Sequence, residues 1–372
     1  VTRRIAIAAP ATGDDEWRAA RGPIERGWLT QGPEVAAFEE AMARRVGAAH
    51  AVATSSGTTA LHLALAALGV GPGDEVVLPS FTWVATANAV LHCGGTPVLV
   101  DVEAHGFNID AVAAARAVTP RTRAIIAVHQ FGLCADVDAL SAAAPGVAIV
   151  EDAACAAGAE LRGRAAGSLG RAAIFSFHPR KTITCGEGGM ITTADPELAA
   201  RARSLRNHGA SPPEPGAPPH RMADFDVVGF NHRMTDVQAA IGRVQLGKLD
   251  RFIAERDAFA AQYRRELAGV GWLRTPDAPA DARHGWQSFV CTVLPGAPLT
   301  RDALMAALEA RGVGTRPGTH AVHTLGHIRA RLGELDLPVS RACAERTIAL
   351  PLHNRMTADD VAHVAEQVRA VG

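Results

Sequence analysis

Between about residue 50 and residue 193 the chain alternates short apolar runs with segments of helical spacing, and no other feature constrains its fold as strongly. "DEVVLP" (74–79), "TPVLVD" (96–101), "TRAIIAVH" (122–129), "VAIVED" (147–152), "AAIFSF" (172–177) and "GMITT" (189–193) read as strands. "GTTALHLALAAL" (57–68), "TWVATANAVLHC" (82–93) and "DVDALSAAA" (136–144) read as helices. Short apolar runs separated by helical segments predict an α/β layer around a mostly parallel sheet.

Beyond that layer, "SPPEPGAPP" (211–219) predicts an extended or mobile loop. Residues 234–267 then read as one long helical pattern, which predicts a bridge between two domains. A strand over 288–294, a helix over 300–312 and a last helix from Thr357 fit a smaller α+β unit. A length of 372 residues suits two domains.

The formal net charge is −1, which offers no electrostatic case for nucleic acid or membrane partners, and no basic helix supports a DNA-binding protein. Six cysteines at irregular spacing, with no CxxC, read as reduced thiols of a cytoplasmic protein. The opening "VTRRIAIAAPATGDDEW" meets charge too soon for a secretory leader, and no window offers an apolar membrane span.

Among 37 basic residues only Lys181 and Lys248 are lysines. Arginine cannot supply a neutral amine near neutral pH, so a lysine inside a motif is informative. Lys181 stands in "SFHPRKTITCGEGG", between an apolar strand and glycines that permit close approach. Asp152 ends the strand of "VAIVED", where ligands of open α/β sheets gather. Ser55, Ser56, Gly57 and Thr58 lead straight into a helix, whose free N–H groups suit an anion. Trp83 follows a strand, in the first turn of a helix, and offers a flat face. Taken singly, these residues also suit a surface loop, a helix cap and a core indole. Together they describe a phosphate cradle, a stacking surface, a carboxylate for a ring nitrogen and a lysine for a Schiff base: pyridoxal 5′-phosphate chemistry.

The stretches "GWLTQGPEVAAFEEAMARRVGAAHAVATSSGTTALHLAL", "GPGDEVVLPSFTWVATANAV", "VEDAACAAGA", "SFHPRKTITCGEGGMITT", "GFNHRMTDVQAAIGRVQL" and "ALPLHNRMT" run in order along nearly the whole chain. They resemble the DegT/StrS sugar aminotransferases, PLP enzymes of the aspartate-aminotransferase fold. The resemblance implies a large, mostly parallel seven-stranded α/β/α domain over 1–245 and a smaller α+β domain over 246–372. It implies Lys181 and Asp152 as catalytic groups, and Ser56, Gly57, Thr58, Trp83, Cys155, Ser176, His178 and Asn231 around the cofactor. Asn231 would reach the cofactor phosphate of a second copy, in a homodimer with shared sites. Arg316, His320 and His323 are the substrate-side candidates. The implied reaction moves an amino group from L-glutamate or L-glutamine, through pyridoxamine phosphate, to a nucleotide-linked keto-sugar in antibiotic or surface-glycan synthesis. A keto-cyclitol, a small keto-metabolite or a non-transaminating PLP enzyme is the alternative.

Two positions depart from the pattern. Cys155 stands where relatives often carry Gln or His, and His232 where many carry Tyr. His320, His323 and His327 have a spacing that would place them on one helical face, the arrangement of a metal site. The reading without metal is preferred.

Overall fold

The computed structural model describes residues 3–211 and 222–371. All but the first residue of the proline-rich loop therefore lies outside the described residues.

Seven strands form the main sheet: β1 (His50–Thr54), β2 (Glu75–Pro79), β3 (Thr96–Val100), β4 (Thr122–Val128), β5 (Ala148–Asp152), β6 (Ala172–Ser176) and β7 (Gly189–Thr193). Their order is β1-β7-β6-β5-β4-β2-β3. The pairs β6–β5, β5–β4, β4–β2 and β2–β3 are parallel, and β7 alone runs against its neighbours. Val76, Val77, Leu78, Ile125, Ile126, Val150 and Ile174 are all buried, because helices cover both faces. That double cover is why these strands read as continuous apolar runs. Since β1, β2, β4, β5 and β6 point the same way, Thr54, Pro79, Val128, Asp152 and Ser176 all end on one edge of the sheet.

A second, antiparallel sheet holds β8 (Leu273–Arg274), β9 (Phe289–Val293), β10 (Arg316–Pro317) and β11 (Thr347–Leu350), in the order β8-β9-β11-β10. It packs on its own apolar cluster, which includes Tyr263, Trp286, Phe289 and Val364 and also takes in Ile5 from the start of the chain.

Three expectations are corrected. The pattern over 234–267 is two helices, α1 (Asp236–Gly247) and α2 (Leu249–Leu267). Gly247 is a poor helix former. The Lys248 N–H turns to Gln245 O at 3.0 Å, while its ammonium is drawn to Glu16 at 2.7 Å and Asp15 at 3.0 Å. The helix expected over 82–93 spans Val84–His92 (α3), with Trp83 as its N-cap. Thr82 instead belongs to a short strand, Phe81–Thr82, that pairs with His320–Ala321. That pairing also breaks up the supposed helical face of His320, His323 and His327. They fall in a strand, a 3-10 turn and a separate helix.

Among the described residues no helix is long and apolar enough to cross a membrane.

Candidate active site

A cavity of about 850 Å³ opens at the sheet edge where the parallel strands end. Ser56, Gly57, Thr58, Trp83, Asp152, Cys155, Ser176, His178, Lys181, Arg316 and His320 line it. A space of this size accommodates a cofactor together with a small substrate.

Helix α4 (Gly57–Ala67) starts at the cavity. Ser56 is its N-cap: the hydroxyl accepts from Thr59 N at 3.1 Å, and Thr59 Oγ1 accepts from Ser56 N at 2.9 Å. The first-turn N–H groups that remain suit an anion. A Cβ at position 57 would lie 2.7 Å from Ser176 Cβ, so glycine there lets the helix start and the end of β6 close on one spot.

Asp152 is 6% exposed at the end of β5. Its Oδ2 accepts from Thr86 Oγ1 at 3.0 Å and its Oδ1 from Ala154 N at 3.2 Å. Burial pushes the carboxyl above its usual range, against the nearby Lys181 charge and these two donors. Such a group gains from a further cationic or N–H partner. Lys181 Nζ lies 3.2 Å from Cys155 Sγ. Trp83 is 59% exposed, unusual for an indole, and its ring lies 5.5 Å from that of His320. Burial lowers the pKa of His178, whose Nδ1 accepts from Arg180 N at 3.2 Å.

These residues fit pyridoxal phosphate: a close-packed anion cradle, an exposed flat ring, a buried carboxylate with a raised pKa and a primary amine line one cavity. Two of the named residues stand apart. Asn231 is exposed, pairs with Asn207 and does not line the cavity. His323 is 3% exposed and lies behind the cavity wall, its Nδ1 2.6 Å from Ser80 Oγ. Burial lowers its pKa. His232, the other departure, meets His62 at 3.3 Å.

Thr86, Gln130, Glu187 and Gln287 also line the cavity and escaped the sequence reading. Gln130 had a usable signal, since it lies two residues past a strand end. Thr86 had a weaker one, one helical turn from Thr82, with which it exchanges a 3.1 Å contact. Gln287 had none.

Comparison with known proteins identifies the family. Residues 10–369 match the DegT/DnrJ/EryC1/StrS aminotransferase family. The GDP-perosamine synthase of Caulobacter vibrioides is 41% identical over 365 residues, 97% of this chain and 96% of that protein. The crystal structure of the aminotransferase TlmJ from Streptoalloteichus hindustanus superposes with a TM-score of 0.91 at 35% identity, covering 99% of this chain and 98% of the other. The PLP-form of Spr1654 from Streptococcus pneumoniae superposes with a TM-score of 0.92 at 26% identity, covering 99% and 98%. The chain belongs to the DegT/DnrJ/EryC1/StrS aminotransferase family.

Proposed function

We propose that this aminotransferase binds pyridoxal 5′-phosphate in the cavity and transfers an amino group from L-glutamate, or L-glutamine, to a nucleotide-linked keto-sugar. The observation that carries the reading is that Lys181 and Asp152 line one cavity: a primary amine beside a buried carboxylate that has only two donors among the described residues and a raised pKa. The likeness to a synthase of a GDP-carried product supports the acceptor class.

When bound, the cofactor supplies an electron sink for charge developing at the amino-bearing carbon. The chain's residues do the rest. Ser56, Gly57, Thr58 and Ser176 hold the phosphate. Trp83 covers the flat face of the ring. Asp152 keeps the ring nitrogen protonated, and Thr86 with Ala154 N fixes that carboxylate. Lys181 would hold the cofactor through Nζ, and the same atom would carry the proton that moves during transfer. Cys155, a weak hydrogen-bonding group, replaces a stronger one beside Lys181. His178 and His320 line the same cavity. His323 acts from behind the wall, by fixing Ser80. Asn231, which is exposed and does not line its own cavity, serves the site of a second copy in a homodimer. The domains divide near residue 245, in the last turn of α1.

The test is the visible spectrum of purified protein supplied with PLP, before and after L-glutamate, beside Lys181→Ala. Wild type is expected to show the band of lysine-bound cofactor and to lose it on adding glutamate. Lys181→Ala is expected to lack the band, with turnover reduced by roughly 10⁴-fold or more. Normal steady-state turnover in that variant would sink the assignment.

A further inference from the structure

Lys181 is loosely held at its tip. Among the described residues its Nζ has one hydrogen-bond partner, the Cys155 thiol at 3.2 Å, and a thiol is a weak one. Where that amine stands therefore depends on how firmly the backbone beneath it is fixed. Within the loop, Lys181 N donates to His178 O at 2.8 Å and Cys185 N to Phe177 O at 3.1 Å. A further bond arrives from the run that leads into β9: Gln287 Nε2 donates to Arg180 O at 2.9 Å. That oxygen belongs to the peptide joining Arg180 to Lys181.

Gln287, buried in the cavity wall, is itself firmly held. Its N–H donates to Phe131 O at 3.1 Å, and its carbonyl accepts from Nη1 of the buried Arg256 at 3.2 Å. Its Oε1 accepts from Ser288 Oγ at 2.9 Å, and that hydroxyl in turn accepts from Arg316 Nη2 at 3.2 Å. A carbonyl can only accept, so the NH2 end of the amide faces Arg180 and its oxygen faces Ser288. The neighbouring backbone is strained. Phe131 (φ 55°) and Trp286 (φ 44°) sit in the left-handed region, which bulky residues rarely enter, and both are buried. Gly132 meets this segment backbone to backbone: Gly285 N donates to Gly132 O at 2.7 Å, and a Cβ on Gly132 would lie 2.9 Å from Trp286 N. Strain of this kind persists only where the surrounding contacts over-determine the geometry, and it gathers at functional sites.

We infer that Gln287 is a positioning residue: its amide clamps the Arg180–Lys181 peptide and thereby sets where Lys181 Nζ stands in the cavity. The inference rests on the role proposed above for Lys181. A proton moves efficiently only between atoms brought to hydrogen-bond distance, and a misplacement of about 1 Å can cost roughly a hundredfold in rate. A flexible four-carbon stem separates the amine from its backbone, so a peptide free to rock would carry its motion out to Nζ. The clamp joins that peptide to a segment fixed by Phe131, Arg256 and Ser288, and so passes their rigidity to the lysine.

The experiment compares wild type with Gln287→Met and Gln287→Glu, each supplied with PLP. Gln287→Met keeps the length of the side chain and removes the donor. The maximal rate at which L-glutamate consumes the visible band should fall roughly tenfold or more, while the glutamate concentration giving half that rate stays within about threefold. Growth of the band from cofactor-free protein and PLP should slow by a similar factor, a readout that needs no turnover. In Gln287→Glu the introduced carboxyl repels the Arg180 oxygen when ionised and donates to it when protonated. The ratio of its rate to that of wild type should therefore rise as pH falls, which a merely structural role would not produce. An unchanged maximal rate in Gln287→Met overturns the inference. So does a loss confined to the half-maximal glutamate concentration, which would assign Gln287 to substrate binding instead. If Gln287→Met does not fold, the pH series on Gln287→Glu decides, and a flat ratio overturns the inference. Wild-type protein that takes up no PLP overturns both this inference and the transaminase reading, and differs visibly from a defect confined to the variants.

Discussion

Glu151 and Asp152 are neighbours on β5, carry the same chemical group and are both buried, yet the fold treats them in opposite ways. Alternation along the strand sends them to opposite faces of the sheet. Burial alone would push the Glu151 carboxyl up, but four donors hold it below its usual range. They are His129 Nε2 at 2.8 Å, Gly167 N at 2.8 Å, Leu169 N at 2.7 Å and Gly170 N at 2.8 Å. His129 Nδ1 accepts from Ala135 N at 3.0 Å, so Nε2 bears the proton it donates to Glu151. Asp152 receives two donors and stays raised. A carboxylate saturated by its own chain is architecture. One that lines a cavity with only two donors has room for a further partner.

Four substitutions test that contrast. Asp152→Asn should lower kcat/KM by at least roughly 10²–10³-fold, through lost electrostatic stabilisation at the ring. The cofactor-free variant should be as stable as wild type or more so by urea unfolding. The sign follows from the raised pKa. Ionised Asp152 subtracts stability at neutral pH, and wild type recovers it as pH falls through the folded value, so the variant's advantage should shrink on acidification. Lower stability of Asp152→Asn at neutral pH would break the comparison.

Glu151→Gln should do the reverse, costing about 3 kcal/mol of stability because it leaves buried donors facing an amide. The lowered pKa means that the stability from Glu151 is present above its unfolded value of 4.5 and lost as pH falls through the folded value. The two stability differences from wild type should thus close on acidification from opposite sides.

Gly57→Ala places its Cβ against Ser176 Cβ, and should cost about 1–3 kcal/mol and weaken PLP uptake, measured by cofactor titration. A variant of wild-type affinity would show that α4 and β6 part easily, and that the cradle is looser than its spacing indicates. The smallest effect belongs to Thr86→Val, which removes one of the two donors to Asp152. About 1 kcal/mol, or roughly fivefold in kcat/KM, is expected, with a pH profile shifted toward higher pH.

Much of the site was legible because its chemistry sits at chain-local signals. Asp152 and Ser176 end apolar runs, Ser56–Thr58 open a helix, Trp83 follows a strand, and Lys181 is one of two lysines. Parallel strands in one sheet bring such ends to one edge without further instruction. The illegible part depends on pairings between distant segments. Periodicity records neighbours a few residues apart, so it joined α1 and α2 into one helix and placed three histidines on one face. The pairing of Phe81–Thr82 with His320–Ala321 spans some 240 positions of sequence and carries no local mark. Nor does the chain from Arg316 through Ser288 and Gln287 to Arg180, which exists only once β9 and β10 lie beside the loop that holds Lys181.

By itself, then, the sequence determined the α/β class and the family, because each is written in residues close together or in ordered stretches of the chain. Tertiary structure decided which buried carboxylate is satisfied and which histidine reaches the cavity. Those outcomes turn on how many donors and charges converge on a group in space, and convergence of distant segments is a property of packing.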